Sequence, residues 1–454
     1  MVDTIWIQGN KKTKNHIILR ELTFNVGDTL YLDHLMKEME ASRKNVNNLQ
    51  LFNFVQINVK NWEGNSVGIQ ISVVERWYHI PVPILELADR NFNEWWVENN
   101  HNLRRLNYGL DYFNPNFRGR KDVFEAGFRL GFQQGLWGFY ELPALNQKQT
   151  LGFRSFFKLE RMRQVPIKTD SNKLVYLEGD RFVNWKMNEG VLLSYRNKIF
   201  DTHYFELQHH HSRITDTVAQ ENPDFLLNGK KKLNFFQINY RFDSDHRDYK
   251  AYPLKGYQWS FEFQKIGLGI FRDVNYFNLI ASVSGFLPLG KKFFISSQLK
   301  GKVSASSKQP YSVQKGLGYE QNFVRGYEFY VIDGQHYAFF KSNLKRQLFS
   351  IVSKGSKFLK RESLSKSSFA MYIKMHFDMG YVHDEVFDFS SELNNSLLLG
   401  GGVGIDFALL YDIVLRVEYS FSTFDVQGKR LPQNGVYLHF VLDIRDVLDN
   451  PVLQ

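Results

Sequence analysis

The sequence predicts a small α+β module followed by an all-β, antiparallel transmembrane barrel of about 16 strands. Three observations lead there. The hydrophobic period changes after Arg76 from a mixed helix-and-strand pattern to two-residue alternation, which recurs in segment after segment towards the C-terminus. These segments reach about nine to eleven residues, more than most soluble strands and enough to cross a bilayer core at a tilt. Their polar faces carry Arg, Lys, Glu and Asp, which a closed core rejects unless paired and a water-filled lumen accepts.

Composition agrees. The chain has 454 residues, 16% of them aromatic, with 41 Phe, 23 Tyr and 8 Trp, yet its mean hydropathy is only −0.37. A collagenous, coiled-coil or disordered chain is excluded, as is a helical membrane span, since no stretch approaches about 18 consecutive apolar residues. Zero Cys removes disulfides, thiolate metal sites and cysteine nucleophiles, and leaves the compartment open. The net charge of +10 fits nucleic acid, an anionic membrane surface, an acidic partner, or simply a solvated Lys-rich surface. The first residues lack the basic and apolar regions of a secretory leader, so an exported form has had its leader removed.

The module, residues 1–76, reads strand, helix, helix, strand, strand. Ile5 and Ile7 alternate with Trp6 and Gln8 and stop at a Gly9-Asn10 turn. Thr13 is expected to cap a helix over about 14–22. A second helix is expected over about 30–48, with Leu32, Leu35, Met36 and Met39 gathered on one face. Phe54, Val55, Ile57 and Val59 start a strand, 62–65 turn, and Val67, Ile69, Ile71 and Val73 alternate over its neighbour.

In residues 77–440, Phe124, Phe128 and Leu130 oppose Glu125 and Arg129, and Phe236, Ile238 and Tyr240 oppose Gln237, Asn239 and Arg241. Phe369, Met371, Ile373, Met375, Phe377 and Met379 oppose Tyr372, Lys374, His376 and Asp378, and Leu415, Val417 and Tyr419 oppose Arg416 and Glu418. The residues beyond the module, at about 23 per strand and connection, make an even number near 16, and closure is required because hydrocarbon cannot satisfy a sheet edge. Trp95, Trp96, Trp137, Trp185 and Trp259 suit interfacial girdles. Residues 169–173, 216–224, 304–309 and 354–368 read as loops; the run Lys230-Lys231-Lys232 suits either anionic headgroups or solvation.

Particular motifs carry a family resemblance. Gly9-Asn10, Thr13, Arg20-Glu21-Leu22, Val26-Gly27, Leu51-Phe52, Val55 and Val74-Glu75 resemble a POTRA domain, the periplasmic polypeptide-transport module. With the barrel, the whole chain resembles the BamA/TamA superfamily of bacterial surface-antigen type. Val324-Arg325-Gly326-Tyr327 looks like the tip of that family's sixth extracellular loop, and Asp378-Met379-Gly380 like its D-x-G strand motif. The resemblance implies that the loop folds into the lumen and that Arg325 pairs with Asp378, next to Gly380. Asp245, Arg247, Asp248, Pro253 and Gly256 resemble the family's D-x-R-D...P-x-x-G segment before a barrel strand, and Asn116-Phe117-Arg118-Gly119 its turn after an early strand. Asp89-Arg90-Asn91-Phe92-Asn93 resembles Bacteroidetes-type members. Gln433, Gly435, Leu438 and Phe440 fall in a pattern similar to the targeting signal of a last barrel strand, with 441–454 as a periplasmic tail. A tail and a single POTRA domain both depart from the usual family pattern.

What the resemblance implies is a Gram-negative outer-membrane protein with its module in the periplasm, touching outer-membrane lipids and lipopolysaccharide, unfolded client polypeptides and accessory assembly subunits. Clients enter through a seam between the first strand, near 80–87, and the last, 433–440, with strand addition at the POTRA edge. The alternative is a secretion translocator whose lumen is plugged by the VRGY loop; a passive porin leaves the module unexplained. No phosphate loop, nucleophile elbow or HExxH motif points to an enzyme, and no nucleic-acid module is visible. No cofactor or metal is implied; His209-His210-His211 is expected to end a strand in a loop.

Overall fold

The computed structural model describes residues 1–87, 102–146, 148–196, 198–305, 308–319, 321–352, 368–385, 392–409, 413–423 and 434–442. The expected Asp89–Asn93 motif, Trp95, Trp96, residues 354–367 of the expected loop at 354–368, Gln433 and the 443–454 part of the tail lie outside them.

In the module, β1 (Val2–Gln8), α1 (Asn15–Leu19), α2 (Leu32–Asn47), β2 (Phe52–Glu63) and β3 (Ser66–Glu75) follow in the expected order. The sheet runs β1-β3-β2, with β1 parallel to β3 and β2 antiparallel to it. The helices bury Ile17, Ile18, Leu35, Met39 and Val46 against Ile69 and Ile71. Gly9 has φ +95°, and a Cβ there would lie 1.9 Å from the Val73 carbonyl oxygen, so the turn requires glycine.

Two local expectations are corrected. Thr13 does not cap α1, whose N-cap is Lys14 without a side-chain bond; the Thr13 hydroxyl sits instead within 3.1 Å of the Tyr78 hydroxyl. The buried face of α2 is Leu35, Met39, Ser42 and Val46, whereas Leu32 and Met36 are exposed. Spacing at three and four residues permits either stripe, and contact with the sheet selects one.

The barrel sheet contains β4 (Ile80–Leu87), β5 (Leu106–Asn114), β6 (Val123–Gly131), β7 (Gln133–Leu142), β8 (Leu151–Met162), β11 (Asn184–Tyr195), β12 (Asp201–Ile214), β13 (Lys232–Asp245), β14 (Gly256–Ile266), β15 (Tyr276–Gly290), β16 (Phe293–Ser304), β17 (His336–Val352), β18 (Ser368–His383), β19 (Leu397–Ala408), β20 (Ile413–Thr423) and β21 (Asn434–Leu442). These 16 strands pair antiparallel with their sequence neighbours, β8 passing directly to β11. β9 (Gln164–Asp170) and β10 (Lys173–Glu178) form a separate hairpin. Among the described residues no ladder joins β4 to β21.

The wall is inside out relative to a soluble protein. On β18, Met375 is 62% exposed on the outer face while Lys374, His376 and Asp378 are buried on the inner one. Such a distribution is stable only if hydrocarbon covers the outside.

Further expectations are revised. Residues 169–173 are the tip of the β9–β10 hairpin, with Ser171 and Asn172 both at positive φ, rather than an open loop. Part of 216–224 is the helix α3 (Asp216–Glu221). His209, His210 and His211 lie within β12 and do not end it. Trp137 donates its indole N–H to Asp111 Oδ1 at 3.1 Å on the inner wall, so it belongs to no outer girdle. The last strand continues past Phe440 to Leu442.

Candidate lumenal site

The long β16–β17 connection turns back into the barrel. Leu317, Val324, Tyr327 and Ile332 bury themselves with Tyr337, Phe339, Val382 and Leu398 of the wall, giving the loop its own small core. Glycines let it approach. Gly326 has φ +95° and lies against the Phe421 main chain, where a Cβ would come within 2.9 Å. A Cβ on Gly380 would lie 2.4 Å from Val324 Cγ2, and one on Gly400 only 1.8 Å from the Arg325 carbonyl oxygen.

This seating places Arg325 among four wall strands. Its Nε and Nη2 donate to Asp378 Oδ2 and Oδ1 at 2.8 and 2.5 Å, and its main-chain N–H to Oδ2 at 3.1 Å. Nη1 donates to Asn343 Oδ1 at 2.6 Å and to Glu418 Oε1 at 3.1 Å, and Nη2 to the Ser342 carbonyl at 3.2 Å. Both members of the main pair are buried, Asp378 completely. A forked, charge-assisted contact of this kind offsets much of the cost of removing two charges from water, a match that lysine cannot reproduce.

The network continues beyond the motif residues. Lys374 Nζ lies 2.6 Å from Glu418 Oε1 and 2.7 Å from Asp406 Oδ1, and the Tyr252 hydroxyl donates to Asp406 Oδ2 at 2.8 Å. Glu418 and Lys374 stand on polar faces of the alternation, and none of the matched motifs includes them or Asp406. The readable signal was charge at inward positions; which charges meet depends on the curl of the wall. Gly400, also missed, stands in a Gly400-Gly401-Gly402 run, which in a strand marks close backbone approach.

The other motif residues build supporting structure. Arg247 forks onto Asp245 at 2.9 Å through both Nε and Nη2, and Asp248 Oδ1 accepts the main-chain N–H groups of Tyr249, Leu254 and Lys255. Gly256, φ +109°, closes this β13–β14 turn, and with Pro253 the turn presents Tyr252 to Asp406. Gly435, Leu438 and Phe440 stand on β21 opposite Ser420, Val417 and Leu415. His209 approaches Glu189 at 3.4 Å, and no metal-ligating cluster occurs among the described residues. Lys230 and Lys231 are paired with Asp273 and Asp216.

Beneath the loop tip, at the module end, is a cavity of about 590 Å³ walled by Lys341, Lys345, Lys374 and Arg416 among others. At the far end the β9–β10 hairpin is bonded to the loop: Asn172 Nδ2 donates to the Val331 carbonyl at 3.2 Å, and Thr169 Oγ1 to Asp333 Oδ2 at 2.5 Å. Glu328 accepts the Gly326 N–H at 2.8 Å, and burial, reinforced by Glu418, pushes its carboxyl up to about 7.

The module is fastened to the barrel mouth. Arg196, just past β11, forks onto Glu21 at 2.7 and 3.0 Å; burial pushes the Glu21 carboxyl up, but Arg196 overrides it and holds the group below its usual range. Lys14 N–H donates to the Gly119 carbonyl at 2.8 Å and Asn116 Nδ2 to Thr13 Oγ1 at 2.9 Å.

Residues 1–76 match the family model described as POTRA, surface antigen variable number repeat. The N-terminal module is a POTRA domain. Among solved structures, BamA from Haemophilus ducreyi lacking POTRA domains 1–3 aligns over 97% of this chain and 84% of its own, with TM-score 0.53 and 12% identity. CdiB from Escherichia coli aligns over 97% and 75%, with TM-score 0.57 and 11% identity, and CdiB from Acinetobacter baumannii over 97% and 73%, with TM-score 0.51 and 13% identity. The chain therefore has the POTRA-and-barrel fold of these proteins. No curated protein matches its sequence.

Proposed function

We propose that this chain is an outer-membrane assembly protein that passes client polypeptides laterally through the β4–β21 seam, with the POTRA domain receiving them on the periplasmic side. The observation that carries this reading is the construction of the seam. β4, described over Ile80–Leu87, includes Pro81 and Pro83, neither of which has an N–H to give to a ladder. Alternate residues point their amides to one edge, so a strand with prolines two apart is suited to a sheet margin. Each ladder bond contributes about 1 kcal/mol, so a donor-poor edge opens at low cost. The β1-β3-β2 order leaves β2 as a sheet edge to which an extended client can add. In this reading Arg325, held by Asp378 and Glu418, locks the loop inside the lumen, which stays closed while the seam works.

A second reading, secretion through the lumen, is favoured by the basic cavity beneath the loop and requires the lock to release. Photo-cross-linking tests the first. Leu85 on β4 is 76% exposed, and Leu207 faces outward on β12, far round the wall. A photoreactive residue at 85 is expected to capture a newly made outer-membrane barrel precursor, and one at 207 to capture none. Equal capture at both positions would reject the lateral seam.

A further inference from the structure

The outer wall carries a row of cations at the end away from the POTRA domain. Register aligns Gln134 of β7 with Arg161 of β8, Arg161 with Trp185 of β11, Trp185 with Arg213 of β12, and Arg213 with Lys232 of β13. All five share the outward parity of the exposed Leu136, Leu159, Val191, Leu207 and Ile238. The row is therefore continuous with the face that meets hydrocarbon.

Its partners are neutral. Arg161 Nε donates to Gln134 Oε1 at 2.7 Å, and its guanidinium lies 4.5 Å from the Phe182 ring centroid, with Arg163 4.7 Å from the same ring. Arg213 stands 5.8 Å from the Trp185 ring. Among the described residues, Arg161, Arg213 and Lys232 have no carboxylate partner, whereas inner-wall Arg129, Arg154, Arg325 and Lys374 each have one. The nearby acids Asp273 and Asp216 are already paired with Lys230 and Lys231. Arg213 and Lys232 are direct cross-strand partners, and like charges so placed repel unless an anion lies between them.

A shallow groove of about 370 Å³ opens beside the row, lined by Leu130, Leu136, Leu159, Trp185 and Met187. We propose that this row binds the phosphates of an outer-leaflet glycolipid, whose acyl chains lie along the groove and the apolar wall below. The assignment rests on the outer-membrane reading and names one lipid class and its contacts. Guanidinium groups match phosphate oxygens in a forked geometry, and the stacked aromatic rings hold them at the water boundary. A free phosphate would satisfy the cations but make no use of the groove.

The test uses the full chain refolded into phosphatidylcholine nanodiscs, with lipid A carrying both phosphates and its dephosphorylated form as probes, read by native mass spectrometry. The bisphosphorylated probe is expected to bind about a hundredfold more tightly than the other, as three basic contacts of on the order of 1 kcal/mol each imply. Arg161→Gln, Arg213→Gln and Lys232→Gln together are expected to abolish that preference, while Lys291→Gln with Lys292→Gln, in the β15–β16 turn at the opposite end, leaves it intact. Equal binding of both probes, or a preference unchanged in the triple variant, would overturn the site. Heat-modifiable migration of the triple variant verifies its fold. Failure of the wild-type chain to enter the bilayer would instead overturn the membrane reading.

Discussion

Replacing Arg325 by Ala tests the loop seating most sharply. The substitution removes the fork onto Asp378, the contacts to Glu418 and Asn343, and the bond to the Ser342 carbonyl. Asp378 is left fully buried with only the main-chain N–H of residue 325, while Glu418 keeps Lys374. Removing one partner of a buried pair costs roughly 3–5 kcal/mol, because the other charge stays desolvated. Loop release should therefore become about a thousandfold more favourable. The chain contains no Cys, so a single cysteine at Asn322 reports loop exposure without background. Thiol labelling in Arg325→Ala should accelerate by orders of magnitude and single-channel conductance should rise, with Arg325→Lys falling between. Labelling and conductance equal to wild type would refute the argument that this pair holds the loop.

Three further outcomes follow from the same geometry. Gly400→Ala should unseat the loop, since its Cβ would meet the Arg325 carbonyl oxygen at 1.8 Å, whereas Gly401→Ala, with its nearest neighbour at 3.3 Å, should label like wild type; equal behaviour of the two would contradict the packing. Glu328, raised to about 7 when docked, binds its proton more tightly in the seated loop, so seating should be firmest at low pH, weaken as pH climbs through about 7 and level off above; Glu328→Gln should flatten that profile, and an unchanged slope would exclude this group. Arg196→Ala strands the buried Glu21 and should loosen the POTRA joint by about 3 kcal/mol, seen as a broadened spin-label distance between module and barrel. Because Glu21 is depressed in the folded state, wild type should lose the same contact as pH falls below the ordinary carboxylate range, and a joint indifferent to both changes would contradict its role.

Much of the wall was readable because period-two alternation maps directly onto two faces: Phe369 to Met379 declared the exposed outer face of β18 and Lys374 to Asp378 its buried inner one. The Arg325–Asp378 contact could be anticipated only through a recognised motif, since 53 residues separate the two and no local period links them. Glu418, Lys374 and Asp406 stood on inward positions, yet their meeting depends on how β18, β19 and β20 curl together. The β9–β10 hairpin is hard to read from sequence because Pro166 argues against a strand, even though Val165, Ile167 and Thr169 alternate as buried positions. Thr13 looked like a helix cap, and the Tyr78 and Asn116 side chains, distant in sequence, draw it elsewhere.

The proposal that clients pass the β4–β21 margin is tested most directly by closing it reversibly. Leu85→Cys with Asn434→Cys, oxidised to a disulfide in the folded barrel, should stop insertion of a barrel precursor into vesicles, and reductant should restore it while each single variant stays active. Full insertion with the disulfide intact would contradict the account.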